Sequence, residues 1–119
     1  MTAATLKLEI EQGSTFRYAL ELKAGTAANA PALDLTGYVA RMQIRADQAA
    51  ATVLHEMTSA NGGITIDALA GRLNLLISAT ATAAFAFDRA VYDLEIESAG
   101  GEVTRVIQGT VVLSREVTR

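Results

Sequence analysis

The chain has no cysteine, no tryptophan and a single proline, Pro31. Without cysteine there is no disulfide framework, no thiolate nucleophile and no cysteine-ligated zinc or iron–sulfur site. Basic residues are few: Lys and Arg number 10 against 13 acids, leaving a net charge of −3. They are scattered from Lys7 to Arg119. Nucleic-acid binding needs a clustered basic patch to neutralise phosphates, so no nucleic-acid partner is expected. No apolar run reaches the ~18 residues that a membrane-spanning helix requires. The opening MTAATLKLEIEQG lacks a basic stretch followed by an apolar one. No signal peptide and no membrane partner are therefore expected, and synthesis is expected in the cytoplasm.

A chain of 119 residues is one domain's worth, and the sequence predicts a single domain over residues 1–119. Its dominant signal is alternation at period 2, the mark of strands buried on one face. Leu6, Leu8 and Ile10 alternate with Lys7, Glu9 and Glu11. Phe16, Tyr18, Leu20 and Leu22 alternate with Arg17, Ala19, Glu21 and Lys23. Ala40, Met42 and Ile44 alternate with Arg41, Gln43 and Arg45; Tyr92, Leu94 and Ile96 alternate with Asp93, Glu95 and Glu97. Turn signals separate the runs: Asp34-Leu35-Thr36-Gly37, Asn61-Gly62-Gly63 and Ala99-Gly100-Gly101-Glu102.

The stretch SATATAAFAF breaks the alternation. Alanine favours helix, and Ser78 or Thr80 can cap one, so a short helix is expected near residues 80–86. Phe85 and Phe87 are expected to plug one end of the core, with a docking patch as the lesser alternative. The closing run EVTRVIQGTVVLSREV is long enough to bend, with a bulge expected at Gly109. Eight or nine short strands at regular spacing predict an all-β fold, an antiparallel β-sandwich of immunoglobulin-like or jelly-roll-like type with that one helix.

Catalytic signals are weak. His55 is the only histidine, and neighbouring Glu56 points to the opposite face of a strand. A lone imidazole needs an orienting carboxylate and a nucleophile to serve, so an exposed or rim strand position is the preferred reading. Asp93, Glu95 and Glu97 form an acidic row whose members lie roughly 7 Å apart along a strand. Such a row suits a two-carboxylate hydrolase or a divalent cation. A solvated face with cross-strand arginines such as Arg105 is the simpler account. No catalytic, cofactor or metal site is expected. Of the tyrosines, Tyr18 and Tyr92 sit in core-type alternation, whereas Tyr38 follows a turn and is the candidate surface aromatic.

The ordered segments IEQGSTFRYALELK, LDLTGYVARMQIR, GRLNLLISATATAAF and VYDLEIESAGGEVTRVIQGTVVLSREVTR cover nearly the whole chain. Together they resemble the N-terminal module of the baseplate upper proteins of tailed phages. In that family a QG pair precedes a strand, an LDLTG turn precedes the next, and a YDLE strand leads through a turn into the closing strand. The resemblance implies a non-enzymatic β-sandwich without a cofactor, assembled in multiple symmetric copies. It implies partners among the other virion proteins, in the tail, baseplate, fibre or capsid. The expected location is the virion, after synthesis in the bacterial host's cytoplasm. The expected role is a tail or baseplate adaptor or fibre anchor, with capsid decoration as the alternative placement. A carbohydrate-binding or cell-surface module, using Tyr38 as its platform, is the alternative of another class.

For contacts with partners, Tyr38, Arg41 and Arg45 are the candidate anchors, because Tyr and Arg are enriched at binding hot spots. The two terminal segments are the candidate arms, with Leu6 and Leu8 at one end and Arg115 and Val117 at the other.

Overall fold

The computed structural model describes residues 3–118. Nine strands and one helix follow one another in these residues: β1 (Ala4–Thr5), β2 (Leu8–Glu11), β3 (Phe16–Glu21), β4 (Val39–Arg45), β5 (His55–Thr58), β6 (Ile64–Asp67), β7 (Arg72–Ile77), α1 (Ala79–Ala83), β8 (Arg89–Glu97) and β9 (Val103–Ser114). They form two sheets. The larger runs β1-β9-β8-β4-β5, with β2 also pairing β9; the smaller runs β3-β7-β6. The fold is all-β and sandwich-like, with one short helix, as the alternation predicts.

The core explains the alternation. From β2 onward the residues on one face of each strand are more deeply buried than those on the other, most cleanly in β4 and β8. Met42, Ile44, Leu94 and Ile10 from the larger sheet form one cluster with Leu73, Leu75, Ile77 and Ile64 from the smaller. Removing this apolar surface from water is the main force closing the two layers. β3 is the exception, since its inward residues Phe16, Tyr18 and Leu20 stay only half-buried.

The predicted turns form as their chemistry requires. Asp34 accepts from the Thr36 N–H at 2.9 Å and from its hydroxyl at 2.6 Å, and Gly37 takes φ +81°. Leu35 inside the turn is buried, so the turn also plugs the core. The Ser78 side chain caps α1 by accepting from the Ala81 N–H. The helix covers residues 79–83 and is shorter than expected, because Phe85 leaves it to enter the core beside Phe87, with ring centroids 5.1 Å apart. Buried Thr82 ties α1 to the turn after β2: its hydroxyl accepts from the Gly13 N–H and donates to the Ser14 carbonyl at 2.8 Å.

Two expectations need correction. The sandwich is not antiparallel throughout, because β1 and β2 both run parallel to β9. Parallel pairing needs no tight turn, so no local signal announces it. The bulge is not at Gly109 either. The register between β8 and β9 slips after Leu94, where Val106 becomes the extra residue and both Val106 and Ile107 are buried. Gly109 answers a different demand. A Cβ there would overlap the Leu6 carbonyl oxygen, which approaches where the N-terminal strands cross β9. The same carbonyl accepts from the Tyr92 hydroxyl at 2.7 Å. Burial, helped by the neighbouring Tyr18, pushes the Tyr92 phenol up to about 12, so it remains a donor at any physiological pH.

Candidate docking face

The outward side chains of β4, β8 and β9 form the most organised polar surface of the molecule. Alternation puts Arg41, Gln43 and Arg45 on that side of β4, and Asp93, Glu95 and Glu97 on the same side of β8. Cross-strand register sets Arg41 opposite Glu95 and Gln43 opposite Asp93. Arg41 uses it fully. Its Nε donates to Glu95 at 3.0 Å and its Nη1 to Glu97 at 2.9 Å. These two hydrogen bonds raise the guanidinium pKa further above its ordinary value.

Arg105, shifted by the bulge at Val106, lies 3.5 Å from Asp93 and donates to the Gln108 side chain at 3.0 Å. Arg45 has no carboxylate partner among the described residues. It donates to the carbonyls of Ala50 and Ala51 and to Gln43, and Gln43 in turn donates to Glu56 on β5. Arg45 thus braces the loop after β4 and carries an uncompensated charge at one end of the face.

These residues line an open trough of about 600 Å³. Arg41, Gln43, Arg45, Asp93, Arg105 and Gln108 are its principal polar walls. At the far end Val39 and Val103 flank Glu97 in register and are about half exposed, at 50% and 47%. The whole is a row of fixed donors and acceptors with an apolar rim, a surface suited to meeting another macromolecule.

The candidate residues fall in separate places. Arg41 and Arg45 share the trough. Tyr38, expected at the surface, is half-buried against the core, so its ring is not a free platform for a base or sugar. Leu8, expected as a contact, is 2% exposed and belongs to the core; Leu6 is half-buried against it. The N-terminal arm is already engaged, because β1 and β2 add to β9 of their own chain. Arg115 donates to Asp88 at 3.0 Å and to the Ala86 carbonyl, pinning the C-terminal segment to the connector after α1. Val117 is 92% exposed. The sequence reading already places Gln43 and Arg105 on this face; it misses Gln108, because the bulge at Val106 interrupts the alternation between Arg105 and Gln108.

The acidic row is engaged by arginines. Glu95 and Glu97 hold Arg41, and Asp93 faces Arg105. Among the described residues no group of three or more His, Asp or Glu is arranged to hold a metal ion. His55 points inward at the rim of β5, its ring edge-on to Phe85 at 5.4 Å and 70°. Burial lowers its pKa below the ordinary 6.5, and Glu56 beside it turns outward to Gln43. Among the described residues no helix is long and apolar enough to cross a membrane. No protein-family model matches the chain, and no curated protein matches it significantly.

Proposed function

We propose that this chain is a bacteriophage structural protein, a non-enzymatic β-sandwich module that docks onto other virion proteins of the tail or baseplate as an adaptor or fibre anchor. The observation that carries the docking role is the pre-ordered outer face of β4, β8 and β9. Its guanidinium, amide and carboxylate groups are already held in place. A partner meeting them need not immobilise long side chains, which lowers the entropic cost of association. The class of partner comes from the ordered segments that resemble baseplate upper proteins. Arg41 and Arg45 are the anchors: one guanidinium is oriented by two carboxylates, the other keeps its charge free for the partner.

The test is capture by the tagged full chain from a lysate of cells producing the phage that encodes it. The expected result is retention of a tail or baseplate protein, weakened about tenfold or more in the Arg41→Ala/Arg45→Ala variant. Retention of the capsid protein moves the module to the head exterior as a decoration protein. Retention of no virion protein overturns the reading.

A further inference from the structure

A sheet edge exposes a row of unpaired N–H and C=O groups, a template for another strand unless something covers it. The β5 edge is covered in part. The Asn61 side chain accepts from the Thr58 N–H at 2.9 Å and donates to the Glu56 carbonyl at 3.1 Å. The β3 edge has no such cover. Leu22 donates to the Gly71 carbonyl at 2.7 Å, and the β3–β7 register continues that pairing through Leu20, Tyr18 and Phe16. In an antiparallel ladder alternate residues bond to alternate sides. The N–H and C=O groups of Arg17, Ala19 and Glu21 therefore point away from β7, towards no other strand among the described residues.

The side chains of those three residues are exposed on the outer face. Arg17 has no carboxylate partner among the described residues, and Glu21 meets Lys23 and Arg72 only at 3.9 Å. Beside this edge an open groove of about 470 Å³ runs between β2 and β3, with half-buried Phe16 and Tyr18 in its wall.

We propose that a second copy of this chain adds to the β3 edge, antiparallel and two-fold symmetric about Ala19. The strand is complementary to itself. With Ala19 opposite its own copy, Arg17 of each chain faces Glu21 of the other, and the smallest side chain sits on the axis. Arg17, Ala19 and Glu21 are also the residues with free backbone groups, so charge pairing and ladder share one register. About six new backbone hydrogen bonds would join the two smaller sheets into one. The groove walls of Phe16 and Tyr18 would gain cover from the partner. The neighbouring β2 edge makes a poorer match, because two-fold pairing that matches Lys7 with Glu11 sets Glu9 against itself.

The inference deepens the docking role and rests on it for the expectation of symmetric copies. The two fail separately. A dimer through β3 that captures no virion protein removes the virion reading alone, whereas a monomer that still captures one removes the dimer alone.

The test is sedimentation velocity of the full chain over a concentration series. A reversible dimer is expected. Arg17→Glu and Glu21→Arg should each raise the concentration for half-association at least about tenfold, by setting like charges opposite each other. The double variant R17E/E21R should restore association, which a folding defect could not do. Ala19→Pro removes the central outward N–H where edge strands tolerate proline, and should also give monomer. Thermal unfolding of each variant below the association range checks that it is folded. A wild-type chain that is monomeric at every soluble concentration overturns the proposal. So does a dimer indifferent to R17E and A19P, or a double variant that stays monomeric.

Discussion

The two sheets handle their borders and faces differently. The larger has its outer face cross-braced by Arg41 and Arg105 and its β5 border covered in part by the Asn61 amide. Its inward Ile44, Met57 and Leu94 are fully buried. The smaller sheet leaves β3 with an open border and with Phe16, Tyr18 and Leu20 half covered. The larger sheet thus offers a braced outer face, whereas the smaller offers an open border at β3.

Four perturbations break or sharpen that contrast. The largest effect is expected inside the larger sheet. Leu94→Ala should cost roughly 2–5 kcal/mol by lost transfer energy and a cavity, whereas Leu20→Ala at half-covered β3 should cost well under half as much. Denaturant titration of both variants in one buffer measures the difference, and equal losses would erase the contrast. Next comes Gly109→Ala, whose methyl must displace the Leu6 carbonyl and with it the N-terminal strands. A loss of about 1–3 kcal/mol is expected, and amide exchange should accelerate over residues 4–11 before it does in β8.

Asn61→Ala is a smaller change in stability, about 1 kcal/mol for the lost edge hydrogen bonds. Its more telling readout is association. Uncovering β5 should create concentration-dependent self-assembly that persists in an Arg17→Glu background. If light scattering shows none, the amide is not what keeps that border closed.

The smallest effect is a pH slope from His55. Burial lowers its folded pKa below 6.5, so the unfolded chain binds the proton more tightly. Its contribution to stability is complete above about 6.5 and is lost as pH falls through the folded value, levelling off beneath it. Denaturation midpoints measured from pH 7.5 to about 5 should decline in the wild type and decline less in His55→Gln. Identical slopes would show that the imidazole is not desolvated beside Phe85.

The strands and most turns were legible in the sequence because their causes are local. The spacing of Met42 and Ile44 against Arg41 and Gln43 fixes which face of β4 is buried, and the Asp34 carboxylate makes its own turn two residues on. The exposed row Arg41, Gln43, Arg45 was legible for the same reason. What could not be read was set by distant partners. The alternation around Leu8 already marked a buried face, but its parallel pairing with Val111, far along the chain, had no local signal. Tyr38 follows a turn, a surface signal, and is drawn inward by core residues that only folding brings near. The bulge arises at Val106 because two consecutive apolar residues, Val106 and Ile107, both turn inward, while the glycine expected to cause it serves the Leu6 crossing instead.

The parallel seam between β2 and β9 has a mechanical consequence. Residues Leu8 to Glu11 lie beside Val111 to Ser114 in the same direction. Tension applied through the front of the first strand and the back of the last therefore slides them past one another along their length. The linking amides of such a seam stretch together and yield as a group, whereas a hairpin pulled from its open end unzips rung by rung. A part held at both ends under tension resists best when its first and last strands are stitched in this way.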